Sequence, residues 1–254
     1  MPHLNRDGVN IYYEDHGSGP AVLMSHGYSA TSRMWADQAE ALKDTYRVIT
    51  WDMRGHGDSD SPDDQSLYSE AHTIDDMAAL LDACEVDQAV ISGLSLGGYM
   101  SLAFHLNYPE RVRALMLFDT GPGYKNAEAR EAWNARSEQW AQGFETNGLD
   151  ALATMGSDEM RKDWHRSPEG LARAARGMLR QFDARIIESL PNIGVPTLAL
   201  VGSEDKPFLG ATEYMAKKIP GAEHVVIPDA GHAANLHQPT AFNEAVTKFL
   251  ASVA

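Results

Sequence analysis

Gly93-Leu94-Ser95-Leu96-Gly97-Gly98 lies where a predicted strand passes directly into a predicted helix. Residues 87–92 end in small apolar side chains that suit a buried strand, and residues 99–106 have a helical composition. Gly93 and Gly97 lack Cβ atoms, so the strand and the helix can approach closely while the hydroxyl of Ser95 projects from the turn. This G-x-S-x-G pattern predicts that Ser95 is an accessible nucleophile.

A serine hydroxyl is a weak nucleophile at neutral pH and needs a histidine base, which in turn needs a carboxylate to orient it. Two candidates follow predicted strands: Asp205 comes after residues 196–202, and His232 comes after residues 223–228. Both positions lie at the carboxyl ends of predicted parallel strands, where open α/β sheets place their sites. Asp119, which follows the predicted strand at 114–118, is the rival acid.

Four landmarks in this order resemble the α/β-hydrolase superfamily, in its branch of small capped serine esterases and enol-lactone hydrolases. They are Ser25-His26-Gly27-Tyr28, the stretch from Asp52 to Ser59, the Ser95 motif, and the pair Asp205 and His232. The resemblance covers the whole chain and implies that Ser95, Asp205 and His232 form a catalytic triad. Some superfamily members take their acid from the position of Asp119, but the Gly202-x-x-Asp205 spacing matches the commoner arrangement and favours Asp205.

The resemblance also implies an oxyanion hole, the pair of donors that binds the negatively charged oxygen formed during acyl transfer. The expected donors are the backbone N–H groups of Tyr28 and of Leu96, the residue directly after the nucleophile. His26 is expected to hold its loop rather than to act in catalysis. Trp133 and Phe208 are predicted to line the substrate pocket.

The order of strand and helix patterns predicts one α/β fold with an insertion. Residues 1–120 alternate between strand and helix patterns, which predicts a mainly parallel sheet with helices on both faces. Strand patterns then disappear until residue 197, and residues 127–142 and 169–182 have helical compositions. We therefore predict a hydrolase core of residues 1–122 and 191–254 with a helical cap, residues 123–190, inserted into it. The large apolar side chains of this cap include Trp133, Trp140, Phe144, Met155, Met160 and Trp164.

Several polar residues have predicted roles outside the triad. Arg54 is predicted to brace its loop through a charge network with Asp52 and Asp58. His237 is predicted to be a surface histidine, and Asp229 a turn residue. No Cys, His or Asp cluster has metal-ligand spacing and no dinucleotide-binding glycine motif follows a strand, so the sequence implies no metal and no cofactor.

The composition limits the partners. The net charge of −15 disfavours binding to nucleic acid and to anionic membranes. The sequence has no signal-peptide pattern and no apolar run of about 18 residues, and it has a single cysteine, Cys84, so we expect a cytoplasmic protein without disulfides. The expected partner is a small-molecule substrate, and the chain is expected to be a monomer or a homodimer.

The resemblance leaves several activities open. Hydrolysis of small carboxylic esters is the favoured one, and the alternatives are a 3-oxoadipate enol-lactonase-like lactone hydrolase, a carbon–carbon bond hydrolase, and a small-molecule receptor that keeps the triad. Dehalogenases and epoxide hydrolases are disfavoured because they need a carboxylate nucleophile in place of Ser95. A dianionic lactone would need a pocket arginine, for which the candidates are Arg136, Arg173, Arg176 and Arg180, although solvated helix surface is the favoured role for each.

Overall fold

The computed structural model describes residues 3–155 and 161–253. Its strands form one eight-stranded sheet in the order β1-β2-β4-β3-β5-β6-β7-β8. They are β1 (His3–Arg6), β2 (Val9–His16), β3 (Ala21–Ser25), β4 (Arg47–Trp51), β5 (Ala89–Leu94), β6 (Val112–Phe118), β7 (Thr197–Gly202) and β8 (Glu223–Ile227). The strands β1 and β2 pair antiparallel, as do β2 and β4, and every other pair is parallel. This confirms the predicted α/β fold with a mainly parallel sheet.

The α-helices connect the strands and cover the sheet. They are α1 (Ala36–Leu42), α2 (Glu70–Ala83), α3 (Leu96–Asn107), α4 (Ala127–Asn147), α5 (Leu152–Met155), α6 (Pro168–Ala174), α7 (Arg185–Ser189), α8 (Lys206–Lys218), α9 (Ala234–His237) and α10 (Pro239–Val253). Among the helices of the described ranges, none combines the length and the hydropathy of a transmembrane span.

Alternate residues of the central strands supply two apolar cores, one on each face of the sheet. In β3 and β5, Leu23 and Ile91 pack into the core that includes the buried residues of α2 and α3. Their neighbours Val22 and Val90 pack into the other core, with α1 and α10. This alternation follows from the two-residue period of a strand, and it explains why the central strands are almost continuously apolar.

The edge strand β1 has no counterpart among the predicted strands. Its four residues alternate between exposed and half-buried, and they pair with β2 from Val9 to Tyr12. A strand of this length with only one large apolar residue, Leu4, carries no periodic signal, so only its pairing with β2 defines it.

The chain between β6 and β7 is helical and forms no strand in its described residues. Helix α4 extends past the predicted end at residue 142 to Asn147, where Gly148 adopts a φ of +56°. The second predicted helix, 169–182, is an α-helix only to Ala174 and then a π-helical turn over Ala175–Leu179. Arg180 is extended, which ends the helical backbone before residue 182. Met160 lies outside the described residues.

Helix α6 and the π-helical turn approach the core so closely that side chains are excluded at two contacts. A Cβ on Gly170 would lie 2.9 Å from the Cα of Gly55, and a Cβ on Gly177 would lie 1.7 Å from the carbonyl oxygen of Tyr68. The hydroxyl of Tyr28 also donates a hydrogen bond to the carbonyl oxygen of Leu171, at 2.9 Å. These contacts fix α6 and the π-helical turn to the loops at the carboxyl ends of the strands.

Candidate active site

Ser95 occupies the turn between β5 and α3 with φ +54° and ψ −112°. This conformation is strained for a residue with a Cβ, and surrounding hydrogen bonds must hold it. The Ser95 N–H donates to the carbonyl oxygen of Phe118 at 2.9 Å, and the Ser95 carbonyl accepts from the Tyr99 N–H and the Thr120 hydroxyl at 3.1 and 2.6 Å. The turn therefore presents a partly exposed Ser95 side chain at the start of α3.

The two glycines that flank Ser95 allow the strand and the helix to touch. A Cβ on Gly93 would lie 2.3 Å from the carbonyl carbon of Gly97, and a Cβ on Gly97 would lie 2.3 Å from the carbonyl oxygen of Ser25. Real Cβ atoms do not approach backbone atoms this closely, so both positions require glycine. This is the steric reason for the G-x-S-x-G pattern.

Asp205 and His232 lie on two adjacent loops and are hydrogen-bonded. Asp205 directly precedes α8 and is buried, and its Oδ2 lies 2.8 Å from Nδ1 of His232, in the loop after β8. The loops are joined by the bond from the Glu204 N–H to the Ala230 carbonyl oxygen, at 2.8 Å. Phe208 on the first turn of α8 stacks on the His232 ring, with 4.9 Å between ring centroids. The loops after β7 and β8 and the first turn of α8 thus fix both the position and the tilt of the imidazole.

Asp119 lies close to this pair but bonds to backbone groups. It is fully buried after β6, with a φ of +45°. Its Oδ1 accepts from the Gly202 N–H at 2.8 Å, and its Oδ2 accepts from the Ala234 N–H at 3.4 Å. Burial raises the pKa of the Asp119 carboxyl, against the opposing effect of these hydrogen bonds. Asp119 therefore ties the end of β6 to the loops that carry Asp205 and His232.

The loop after β3, which carries Tyr28, borders the turn that carries Ser95. A Cβ on Gly27 would lie 3.5 Å from the Cβ of Ser95, so this loop borders the serine. The backbone N–H groups of Tyr28 and Leu96 form no hydrogen bond within residues 3–155 and 161–253. Leu96 is the first residue of α3, where N–H groups have no partner inside the helix. These two N–H groups are therefore the candidate oxyanion donors.

The Ser95 hydroxyl likewise makes no hydrogen bond to the part of the chain that the structure describes. Catalytic hydrogen bonds are often long in a ligand-free enzyme and shorten when substrate binds. Phe208 links the positions of His232 and Ser95, because its ring stacks on His232 and also lines the cavity to which Ser95 belongs.

A cavity of about 300 Å³ opens at Ser95. Trp133 and Phe208, the two predicted pocket residues, both line it. The further side chains that contribute to its wall include Tyr99, Thr120, Tyr124, Leu179 and Gln181. Among the described residues that line this cavity, none carries a charged side chain.

Sequence reasoning missed Gln181 and Tyr124 as cavity residues. Tyr124 follows the turn Gly121-Pro122-Gly123 after β6, and its proximity to that turn is a usable signal. Gln181 has no such signal, because it reaches the cavity only through contacts with α4: the Trp133 Nε1–H donates to the Leu179 carbonyl at 2.7 Å, and the Gln181 N–H donates to Asn134 Oδ1 at 2.8 Å.

Three buried histidines support the loop that carries Tyr28. The His26 Nδ1–H donates to the Gly27 carbonyl at 2.7 Å while Nε2 accepts from the Met53 N–H at 2.9 Å, which is the loop-holding role expected of it. The His56 ring lies 4.9 Å from the His26 ring and 6.0 Å from the His165 ring. Burial lowers the pKa of His26 and of His165 to about 4, so both are neutral at pH 7.

The predicted network of Arg54 with Asp52 and Asp58 is wrong. Arg54 is buried and forms an ion pair with Asp76 on α2, at 2.6 and 2.8 Å. The Asp52 carboxylate is already occupied, because it accepts from the backbone N–H groups of Ser32 and Asp58 at 2.6 and 2.8 Å. The residues of this loop are thus braced by two separate sets of contacts.

The four arginines considered for a charged substrate lie outside the cavity wall. Arg173 pairs with Asp63, Arg176 with Glu138 and Glu145, and the guanidinium groups of Arg136 and Arg180 lie over Trp140 and Phe182. His237 is exposed as predicted, and its Nδ1 also accepts a hydrogen bond from the Gly231 N–H, at 2.8 Å, next to His232.

Comparison with known proteins places this chain in a family. Residues 20–166, more than half of the chain, match the family model described as the alpha/beta hydrolase fold. A thermophilic esterase structure from Thermogutta terrifontis superposes with a TM-score of 0.88 at 30% identity, over 100% of this chain and 99% of the esterase.

Two curated relatives match over nearly their full length. The 3-oxoadipate enol-lactonase 1 of Acinetobacter baylyi is 29% identical, over 98% of this chain and 96% of the lactonase. A Bacillus subtilis protein named for a 2-succinyl-6-hydroxy-2,4-cyclohexadiene-1-carboxylate synthase is also 29% identical, over 97% of both chains. With the matching fold, the family model and these relatives, the chain is a hydrolase that belongs to the α/β-hydrolase family.

Proposed function

We propose that the protein is a serine hydrolase that cleaves small carboxylic esters through an acyl-enzyme intermediate. One observation carries this proposal: Ser95, held in a strained turn, lies in the wall of a cavity that also contains Phe208, the residue that stacks on the His232–Asp205 pair. In this proposal Ser95 is the nucleophile, His232 the base and Asp205 the acid.

Asp205 sets the protonation of the base. A carboxylate only accepts hydrogen bonds, so the 2.8 Å contact requires that His232 Nδ1 carry the proton and that Nε2 carry the lone pair. In the first step Nε2 takes the proton of Ser95 as Oγ bonds to the ester carbonyl carbon. The tetrahedral intermediate then expels the alcohol, which receives the same proton from His232, and the acyl group stays on Ser95.

The second step repeats the chemistry with water. His232 Nε2 removes a proton from a water molecule, whose oxygen bonds to the acyl carbon. Collapse of this second intermediate releases the carboxylic acid and returns the proton to Ser95. The backbone N–H groups of Tyr28 and Leu96 bind the oxyanion in both intermediates, and in comparable sites the loss of one such donor costs about 3–4 kcal/mol.

The cavity supports a small, uncharged substrate. A volume of about 300 Å³ is at the low end for ligand pockets and favours short acyl chains. We assign residues 123–190 as a cap that encloses this volume, because Trp133, Leu179 and Gln181 belong to its wall. Enol-lactone hydrolysis is the second candidate because a relative that is 29% identical is a 3-oxoadipate enol-lactonase. The uncharged wall disfavours a lactone that carries a carboxylate.

A fluorophosphonate probe and an ester panel test the proposal. The probe is expected to label Ser95 alone, and Ser95→Ala is expected to abolish both labelling and turnover. Ser101→Ala is the matched control, because Ser101 lies on the same helix and its hydroxyl bonds to the Gly97 carbonyl. Labelling that persists in Ser95→Ala would defeat the assignment.

The panel contains p-nitrophenyl esters of two to sixteen carbons beside an enol-lactone and a dienoate. Multiple turnovers with best kcat/KM on acetate to hexanoate support an esterase. A kcat/KM orders of magnitude higher on the enol-lactone or the dienoate would transfer the protein to lactone or carbon–carbon bond hydrolysis. A single slow turnover accompanied by a change in the cap would identify a receptor.

A further inference from the structure

Gln181 is a polar side chain of the cavity wall whose amide is bonded at its oxygen end and not at its nitrogen end within the described residues. It is 8% exposed, and it follows the π-helical turn, between α4 and the Gly123–Tyr124 segment. Its backbone is fixed on both sides by Asn134, whose Oδ1 accepts from the Gln181 N–H at 2.8 Å and whose Nδ2 donates to the Gln181 carbonyl at 2.9 Å. The side chain therefore leaves from a rigid position.

The orientation of the Gln181 amide is set by its neighbours. Oε1 accepts a hydrogen bond from the Tyr124 N–H at 3.2 Å, which only the oxygen end of the amide can do. Gly123, with a φ of +85°, packs against the amide, and a Cβ there would lie 2.8 Å from Oε1 and 3.4 Å from Nε2. Rotation of the amide by 180° would place two N–H donors against each other at Tyr124.

This orientation leaves the Nε2 group for a ligand. Nε2 carries two hydrogens and forms no hydrogen bond to the described part of the chain, although Gln181 lines the cavity. Three other polar side chains of the wall are already bonded within the protein: the Tyr99 hydroxyl to Glu70, the Thr120 hydroxyl to the Ser95 carbonyl, and the Trp133 Nε1–H to the Leu179 carbonyl. A substrate oxygen that accepts from Nε2 would complete the hydrogen bonding of the Gln181 amide.

The absence of charge on the wall decides what kind of oxygen this is. A carboxylate moved from water into a cavity with one neutral donor loses far more hydration than one hydrogen bond restores. A ketone, ether or ester oxygen has a smaller desolvation cost that one good donor offsets. We propose, on the basis of the esterase function proposed above, that Gln181 selects uncharged substrates that carry a second oxygen acceptor besides the reacting carbonyl.

Matched ester pairs test this role. The p-nitrophenyl esters of 5-oxohexanoate and 6-oxoheptanoate are compared with those of hexanoate and heptanoate. Each kcat/KM is divided by the rate constant for hydrolysis of the same ester by hydroxide, which corrects for differences in intrinsic reactivity. For the wild type we expect one keto ester to exceed its plain partner about tenfold, the ratio that one neutral hydrogen bond supplies. The p-nitrophenyl monoester of adipate, which carries a carboxylate, is expected to be slower than both.

Two substitutions isolate the donor. Gln181→Met removes it, and Gln181→Glu replaces it by an oxygen while keeping an oxygen for the Tyr124 N–H. Both variants are expected to bring the keto-to-plain ratio close to one, whatever their effect on kcat/KM for the plain ester. Gln142→Met, on the exposed face of α4, is the matched control and should keep the wild-type ratio.

Three results would overturn the inference while leaving the esterase intact: an unchanged ratio in both residue 181 variants, a ratio abolished by Tyr124→Phe alone, or a preference for the adipate monoester. If the wild type hydrolyses no ester and the fluorophosphonate probe labels no serine, the proposed function fails and the inference fails with it.

Discussion

Acidification is expected to destabilise this protein through two buried histidines. Each is bonded as a neutral ring, with one nitrogen donating and the other accepting. In His165 the Nε2–H donates to the Ser29 carbonyl at 2.8 Å, and Nδ1 accepts from the Gly57 N–H at 3.3 Å. In His26 the accepting nitrogen is Nε2, which bonds to the Met53 N–H. Protonation would place a new N–H against a backbone N–H in both residues.

The size of the effect follows from the pKa values. Burial lowers the pKa of His26 and of His165 to about 4, whereas an exposed histidine in the unfolded chain has a pKa near 6.5. Between these values the unfolded state binds more protons, so the free energy of unfolding falls as the pH falls from about 6.5 to about 4. Each histidine contributes about 3 kcal/mol over that window, since one pKa unit corresponds to 1.36 kcal/mol.

Buried acids act in the opposite direction. Burial raises the pKa values of Asp52 and Asp119, so these carboxyls bind protons more readily in the folded state and favour folding as the pH falls. The pH dependence of the wild-type free energy of unfolding therefore contains contributions of both signs. The informative measurement compares the slope of this free energy against pH between the wild type and a variant that lacks one histidine.

Urea unfolding at pH 7, 6, 5 and 4.5, followed by tryptophan fluorescence, measures this difference. Gln in place of His165 keeps a donor and an acceptor but does not titrate. As the pH falls through about 5, the free energy of unfolding of His165→Gln should therefore decrease by about 1 kcal/mol per pH unit less than that of the wild type. His224→Gln, at an exposed position on β8, should parallel the wild type. Parallel curves for His165→Gln and the wild type would refute the argument, whatever the stability of the variant at pH 7.

Three further predictions concern the site. Asp205→Asn is expected to lower kcat by about four orders of magnitude and Asp119→Asn far less; kcat measured on folded variants checks this, and the reverse ranking would move the acid to Asp119. Trp133→Ala is expected to change relative kcat/KM across acyl lengths in the ester panel, whereas a uniform loss would show that Trp133 only packs the helices. Gly97→Ala is expected to lower the free energy of unfolding by about 3 kcal/mol or more, because its Cβ would overlap backbone atoms, whereas Gly210→Ala, which has open space on α8, should raise it by about 0.5–1 kcal/mol. Urea unfolding compares the two variants, and similar stabilities would contradict the steric account.

The turn at Ser95 and the sheet were predictable because their signals are local. The apolar runs of β3 to β7 and the two glycines around Ser95 are each visible within a few consecutive residues. The apolar runs indicate buried strands, and the missing Cβ atoms of the glycines indicate a close approach of strand and helix. The positions of Asp205 and His232 could be predicted for a related reason: the ends of parallel strands meet at one edge of a sheet.

The remaining contacts depend on chain segments that are far apart. Gln181 reaches the cavity because Asn134 holds its backbone, and Arg54 pairs with Asp76 because backbone N–H groups occupy the nearer Asp52. Neither choice of partner follows from spacing or periodicity. The same holds for His165, which supports the Tyr28 loop from the helical segment between β6 and β7.

The glycine contacts at Gly170 and Gly177 have a consequence for how a substrate enters. Backbone atoms touch there without intervening side chains, so a hinged opening of α6 would separate main-chain surfaces and break the bond from Tyr28 to Leu171. Side-chain rotation is the less costly route, and Tyr124, 40% exposed at the cavity wall, is placed for it. Admission to the cavity would then be controlled by one aromatic ring and proceed on the timescale of a rotamer change rather than that of a moving lid.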